Sequence, residues 1–431
     1  MPKLNDFNPY MNKTLLKKVL IITFLIETFC VTYALKFPTL IPLATLFYFF
    51  SGILIALLIL FLPKANVPGW SMGGMLTINR YKILSLGILG IMMIHFSAIW
   101  MEDNPLLVTD ADMLPVIKVM SERFLMGHWN QVYSIIPQIW GGMKPIYLPA
   151  MWLPFSIPVA LNVDVRWTTV AILFLSFSVF ILFLNPRKKD LTAVFLVIAG
   201  FCLFWWLFTD EAAGLVTYTE EGVVIGYYVL LVLALLKRNY WLIGVTISLC
   251  ALSRYAFAGW IPALFIYLLC QKQFWNIGKM VISGIICLFL FVYIPFGWGV
   301  ILNTLQLPGE YVHFAGRVWH DRPEIFAGML GFSKFFGPGK IELQHHLLLG
   351  LSFTVPTLFV VLCWWLKVKQ KIKLSNVSIA ALKISLVLFY CFIDVPYLYL
   401  FYTSSFVSLI LVTFFLMQKD EEQVSVSKKA L

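Results

Sequence analysis

Residues 40–62 read LIPLATLFYFFSGILIALLILFL, an apolar run that contains no charged residue. A straight transmembrane helix needs roughly 20 apolar residues, so this run is long enough to cross the apolar core of a bilayer. Similar apolar runs recur along the whole chain of 431 residues. The pattern predicts a protein built from membrane-crossing helices.

The composition supports the same class. Hydrophobic residues make up 61% of the chain and charged residues 12%, whereas soluble domains carry roughly 45–50% and about 25%. These values exclude a cytosolic enzyme, a secreted disulfide-rich domain and a disordered chain, and continuous apolar runs exclude an outer-membrane barrel. The net charge of +11 does not indicate nucleic-acid binding, because the basic residues form short clusters between apolar runs.

The apolar runs predict an all-α, polytopic transmembrane protein with about twelve spans in one integral membrane domain, residues 1–431. The predicted spans cover residues 19–35, 40–62, 83–101, 167–184, 191–208, 222–236, 241–253, 255–270, 279–295, 346–366, 377–393 and 395–417. Twelve crossings place both termini on one side, and the connecting segments on that side hold most of the Lys and Arg residues. The positive-inside rule therefore predicts cytoplasmic termini, in a membrane that we expect to be the bacterial inner membrane.

One apolar segment does not fit a simple crossing. Residues 145–161, PIYLPAMWLPFSIPVAL, contain four prolines, which favours a re-entrant or interfacial segment because proline interrupts helices. In the alternative, this segment crosses the membrane and residues 241–270 form one long helix. That alternative would move Glu220 and Glu221 to the cytoplasmic side.

Two long outer loops remain, residues 102–146 and 296–345. In the first loop, apolar residues recur at helical spacing between Asp112 and Gly127, which predicts an amphipathic helix on the membrane surface. The Asp110-Ala-Asp112 sequence could hold a general base or a divalent cation. The structural alternative is that one of these aspartates only caps the helix.

A series of short motifs follows in a recognisable order: Asp112, Gly127, Tyr133, Tyr147, Pro149, Glu221, Gly222, Gly244, Arg254, Pro262, Asp394, Tyr397 and Tyr399. This order resembles the GT-C superfamily of membrane glycosyltransferases that use polyprenyl-phosphate sugars, particularly its bacterial mannosyltransferase-like members. The resemblance covers roughly residues 83–270 and 390–417. Many relatives carry Gln or Asn where Glu221 stands and Lys where Arg254 stands.

The resemblance implies an enzyme that moves a sugar, a hexose such as mannose, from a polyprenyl-phosphate donor to a glycan or lipid acceptor on the non-cytoplasmic face. Catalysis is assigned to Asp112, with Asp110 in support. Since the leaving group is a phosphate, cationic side chains should line the site, and the sugar and acceptor need polar partners. The donor-phosphate candidates are Arg254, Arg317, Arg322 and His320, and the sugar or acceptor candidates are Glu220, Glu221 and Asp394.

Several alternatives stay open. Arg254 could form a structural pair with a carboxylate such as Glu221, Asp394 could cap a helix, and Glu27 within the first span is most simply paired. The sequence requires no cofactor and leaves metal dependence undecided. An O-antigen-type polymerase or ligase would use the late Arg-bearing loop. A transporter or lipid flippase would show similar halves and ionisable groups near the bilayer midplane.

Overall fold

The computed structural model describes residues 13–62, 80–109, 111–183, 200–203, 205–206, 214–369 and 374–417. Helices dominate these ranges, and no strand forms within them. The helices used below are α1 (Lys13–Val31), α2 (Ile41–Phe61), α3 (Arg80–Asp103), α4 (Met113–Leu125), α5 (Trp167–Phe183), α6 (Glu221–Lys237), α7 (Tyr240–Ala251), α8 (Trp260–Cys270), α9 (Phe274–Leu288), α10 (Gly299–Asp321), α11 (Ile341–Lys369), α12 (Val377–Phe392) and α13 (Leu400–Met417).

Continuous helical stretches make the described part of the chain compatible with a helical membrane protein. Five of them are long and apolar enough to cross a membrane: Thr14–Lys36, Pro38–Phe61, Lys82–Asp103, Phe274–Phe296 and Pro338–Lys369. Shorter apolar helices cover Trp167–Ser178, Tyr240–Ala251, Trp260–Cys270, Val377–Phe392 and Leu400–Leu416. The predicted span at 191–208 falls mostly outside the described residues.

Close helix contacts define one end of the bundle. The hydroxyl of Thr403, in the first turn of α13, donates to the Glu221 carboxylate at the start of α6. Gly222 packs so closely on α5 that a Cβ there would lie 2.3 Å from Thr169 Cγ2. Helices α5, α6 and α13 therefore begin at the same end of the bundle, which we call the upper end.

Other contacts define the opposite, lower end. The Tyr240 hydroxyl donates to Gln273 Oε1 at 2.7 Å, which joins the start of α7 to the start of α9. The Asn376 amide donates to the Ile59 carbonyl at 3.2 Å, which joins the start of α12 to the end of α2. Because α6 runs from the upper end down to Lys237, the segment that connects it to α7 also lies at the lower end.

Residues 240–270 form two helices rather than one. Helix α7 ends at Ala251 and α8 begins at Trp260. The start of α7 meets the segment that follows α8, because Tyr240 donates to Gln273. The alternative of one long helix over residues 241–270 is therefore wrong. The hairpin turns near Arg254, whose side chain reaches the start of α6 at the upper end.

The Pro-rich segment does not form one continuous helix. It folds into three short helical pieces, Pro149–Trp152, Leu153–Phe155 and Ser156–Ala160, none of which is long enough to cross a bilayer. The Ala150 amide donates to the Leu252 carbonyl at 3.1 Å, so the segment covers the turn of the α7–α8 hairpin.

The second predicted outer loop, residues 296–345, is mostly helical in the structure. Helix α10 occupies its first half, and short helices Pro323–Gly328 and Ser333–Phe336 follow. Helix α11 begins at Ile341, five residues before the predicted span at 346–366. One face of α10 is apolar, with Ala315 and Val318 buried. Burial of such a face stabilises a helix even where the mean hydropathy is too low to predict a membrane span.

The two ends of the bundle can be tested by single-cysteine labelling in intact cells. We expect a membrane-impermeant thiol reagent to label His128→Cys at the upper end and to label Lys272→Cys at the lower end only after permeabilisation. Both original side chains are exposed, and the parent protein gives the background. Labelling of both variants from outside would contradict a membrane-crossing bundle with these two ends.

Candidate active site at the upper end

A buried group of three charged side chains lies at the upper end. Arg254 Nη2 lies 3.0 Å from Glu220 Oε1 and 2.9 Å from Glu221 Oε2. The Arg254 side chain is 16% exposed and the two carboxylates are buried. The structure therefore brings together three predicted site residues. Arg254 pairs with Glu221, as the structural alternative for Arg254 predicted.

The break in the α7–α8 hairpin positions Arg254. The amides of Ser253 and Arg254 both donate to the Cys250 carbonyl, at 3.1 and 2.7 Å, which ends α7. The Tyr228 hydroxyl then donates to the Arg254 carbonyl at 2.8 Å and accepts from the Phe257 amide at 3.2 Å. Tyr228 thus satisfies backbone groups that a break between two helices leaves without partners.

Two neighbours from the α13 region complete this group. Thr403 donates its hydroxyl hydrogen to Glu221 Oε1. The Tyr399 ring lies 5.9 Å from Arg254 Cζ, within the range of a cation–π contact. Burial raises the pKa of the Glu220 carboxyl, while Arg254 opposes that rise.

Asp112 is the N-cap residue of α4, as predicted, but its side chain makes no capping hydrogen bond. Instead, Asp112 Oδ2 accepts from the Trp140 indole N–H at 3.2 Å. Trp140 has a φ of +53° and is followed by Gly141 and Gly142, both with positive φ. A left-handed tryptophan is an unusual backbone state that surrounding structure must hold in place, and here it sets the indole against the carboxylate.

Helix α4 is amphipathic, as predicted, and its apolar face is buried within the protein. Leu114, Ile117 and Met120 are fully buried in a cluster that also contains Trp152 and Phe155 of the Pro-rich segment. The helix is therefore packed within the protein, and this packing fixes the position of Asp112.

Two tyrosines lie near Asp112. Burial raises the pKa of the Tyr147 hydroxyl, and the nearby carboxylates of Glu220 and Asp112 raise it further, whereas Arg254 lowers it. Burial and Asp112 also raise the pKa of Tyr397, and Arg322 lowers it. Tyr147 is thus near both Asp112 and the Arg254 group, and Tyr397 is near both Asp112 and Arg322.

The remaining basic candidates from α10 differ in position. Arg322 terminates α10 and lies near Tyr397, as just described. Arg317 is exposed. The His320 side chain is 89% exposed and lies 2.9 Å from Asp321. Of the three, only Arg322 has a recorded interaction that connects it with Tyr397.

Asp394 does not cap a helix, since α13 begins only at Leu400. Its Oδ2 lies 2.7 Å from His345 Nδ1, and the Asp394 side chain is 2% exposed. The local sequence does not predict this contact, because His345 and Asp394 are 49 residues apart. The nearby Gln344 amide donates to the Phe392 and Ile393 carbonyls, which ties the start of α11 to the end of α12.

Asp110 lies outside the described residues. Among the residues that the structure does describe, no group of three or more His, Cys, Asp and Glu side chains could hold a metal ion.

A second buried charge group lies deeper in the bundle. Lys383 Nζ lies 2.7 Å from Glu27 Oε1, and both side chains are completely buried. The sequence interpretation of Glu27 as a paired residue is correct, whereas its partner was missed. The signal for Lys383 is its position in the apolar run IAALKISLVL, because a lone ionisable residue within a span usually has a specific partner.

Comparison of the chain with protein-family models, with curated proteins and with solved structures found no match. The chemistry of the upper end therefore has to be inferred from its own residues.

Removal of Arg254 tests the energetic weight of the buried group. Arg254→Ala leaves two buried carboxylates without a positive partner, so we expect it to lower the free energy of unfolding by about 3–5 kcal/mol. Arg254→Lys should retain part of the stability because it supplies the charge without the planar fork of donors. Denaturant unfolding in detergent measures both, with the exposed-site variant Arg317→Ala as control. Parent-like stability of Arg254→Ala would contradict this account.

Proposed function

We propose that this protein is a GT-C-type membrane glycosyltransferase that transfers a hexose, such as mannose, from a polyprenyl-phosphate donor to a glycan or lipid acceptor. In this proposal, the reaction occurs at the upper end, on the non-cytoplasmic face of a bacterial inner membrane, and both termini are cytoplasmic. The family assignment rests on the order of the sequence motifs. The placement of Asp112 supports the chemistry.

The observation that carries the proposal is the state of the Asp112 carboxylate. Its side chain makes no capping hydrogen bond at the start of α4 and instead accepts from the Trp140 indole, and its charge acts on the Tyr147 hydroxyl together with the charges of Glu220 and Arg254. A carboxylate that accepts a single structural hydrogen bond keeps lone pairs with which it can accept a proton. Glu221, by contrast, is already engaged by Arg254 and Thr403.

In the proposed reaction, Asp112 removes the proton from the acceptor hydroxyl while the hydroxyl oxygen attacks the anomeric carbon of the donor sugar. The bond between that carbon and the phosphate oxygen breaks, and its electron pair leaves with the polyprenyl phosphate. Negative charge then develops on the phosphate, so a nearby cation lowers the barrier.

The two arginines near the tyrosines have different roles in this proposal. Arg254 Nη2 contacts two carboxylates, so we assign Arg254 mainly to holding Glu220 and Glu221, of which Glu220 offers an oxygen atom to the sugar. Arg322 is exposed, and its charge acts on Tyr397 together with that of Asp112. We therefore assign the leaving phosphate to Arg322, because a guanidinium free for a bidentate contact suits a phosphate group.

The proposal is tested directly by incubating the purified protein with a panel of polyprenyl-phosphate sugars and candidate acceptors. We expect free polyprenyl phosphate and a glycosylated acceptor to appear together, with one donor strongly preferred. If no donor in the panel releases polyprenyl phosphate, the proposed activity is refuted for those sugars.

Asp112→Asn tests the catalytic assignment. Asparagine keeps the size of the side chain and can still accept from Trp140, but it cannot take a proton, so turnover should fall about 10²–10⁴-fold. Stability should stay near that of the parent because the carboxylate makes no capping bond. Trp140→Phe, which removes only the indole N–H, should cost less. If Asp112→Asn turned over like the parent, Asp112 would not be the general base, and another residue would have to serve as the base.

Arg322→Ala tests the phosphate assignment against Arg317→Ala, a chemically identical change one and a half turns earlier along the same chain segment. We expect Arg322→Ala to reduce kcat/KM for the donor about tenfold or more, as loss of a charge-assisted hydrogen bond does. Arg317→Ala should behave like the parent. Equal losses in the two variants would indicate a general effect of surface charge rather than a phosphate contact.

The second candidate function is a transporter or lipid flippase, and the buried Glu27–Lys383 pair favours it because this class uses ionisable groups within the membrane. Reconstituted vesicles separate the two functions. A flippase moves a labelled polyprenyl lipid between leaflets without releasing polyprenyl phosphate. The O-antigen-type polymerase or ligase would instead require a polyprenyl-linked oligosaccharide in the same release assay.

A further inference from the structure

The Glu27–Lys383 pair joins three helices in the interior of the bundle. Glu27 belongs to α1, Lys383 belongs to α12, and Ser404 and Ser408 of α13 contact both charges. A charged pair in an apolar interior is costly to desolvate and is often no more stabilising than apolar residues of the same volume. Stability alone therefore does not account for the pair, and its geometry must be considered.

Lys383 uses its ammonium group to fix the first turns of α13. Its Nζ donates to Glu27 Oε1 at 2.7 Å, to the Ser404 carbonyl at 3.0 Å and to Ser404 Oγ at 2.8 Å. Ser408 Oγ donates to Glu27 Oε2 at 2.8 Å. Since residues 404 and 408 lie one helical turn apart on the same face, the pair holds α13 at two successive levels.

Thr403 is the residue directly before Ser404, and it faces the other charge group. Its hydroxyl donates to Glu221 Oε1, and Glu221 Oε2 lies 2.9 Å from Arg254 Nη2. The first turn of α13 thus links the Glu27–Lys383 pair to the Arg254 group through two adjacent residues. A shift of this turn would move the Thr403 hydroxyl away from Glu221.

We propose that Lys383 and Glu27 are positioning residues, which hold Thr403 in place and thereby set the geometry of Glu221 and Arg254 at the upper end. The inference concerns the architecture beneath the site and holds for any reaction there. It predicts that the pair can be exchanged for apolar residues with recovery of stability but without recovery of local order around Arg254.

The test compares single and double variants in detergent by denaturant unfolding and by hydrogen exchange of backbone amides. Lys383→Met alone leaves the buried Glu27 carboxylate without a positive partner, so this variant should be clearly less stable than the parent. The double variant Glu27→Leu/Lys383→Met removes both charges and should recover most of that stability. In the double variant, amides of residues 404–410 and 252–259 should still exchange about five- to tenfold faster than in the parent, as expected from the loss of hydrogen bonds.

Two further variants separate positioning from local support. Thr403→Val removes the hydroxyl that donates to Glu221, and it should accelerate exchange over residues 252–259 while leaving residues 404–410 unchanged. Ser408→Ala keeps all contacts between Lys383 and Ser404, and it should leave residues 252–259 unchanged.

Parent-like exchange over residues 252–259 in the double variant would overturn the proposal. The Glu27–Lys383 pair would then stabilise only α13 and its immediate neighbours. If the double variant does not fold, Thr403→Val still decides the matter, because unchanged exchange over residues 252–259 in that variant breaks the proposed link.

Discussion

A charge inside an apolar bundle must find partners, and at the upper end this constraint is met by Arg254 with Glu220 and Glu221. The three residues come from the turn of the α7–α8 hairpin and from the start of α6. Their pairing requires the hairpin to break where it does and to meet the first turn of α6. The Pro-rich segment then covers that turn, and α4, packed on the segment, carries Asp112 to the same region.

The same constraint operates deeper in the bundle, where Lys383 pairs with Glu27. Both charge groups contact the first turns of α13, one through Thr403 and the other through Ser404. The position of this helix is therefore defined by polar contacts from three sides, in an environment where apolar packing has little directional preference. The tyrosines that precede α13, Tyr397 and Tyr399, are placed by the same contacts at the edge of the candidate site.

Much of this organisation could be predicted from the sequence because it is local. The uncharged run at 40–62 corresponds to the helix Ile41–Phe61. The prolines within 145–161 and the arginine at position 254 mark places where helices are interrupted. Partners that lie far apart in the chain could not be predicted. Glu27 and Lys383 are 356 residues apart, and Asp394 with His345 likewise depends on how helices meet. Helix α10 was missed because its apolar residues are spaced along one face rather than gathered in a run.

We propose that the upper end binds the phosphate of a polyprenyl-phosphate sugar beside Asp112. A cryo-EM structure of the protein with a non-hydrolysable donor analogue tests this directly. We expect phosphate density among Asp112, Tyr397 and Arg322, with the sugar toward Glu220. Phosphate density at the lower end, or beside Glu27 and Lys383 within the bundle, would contradict it.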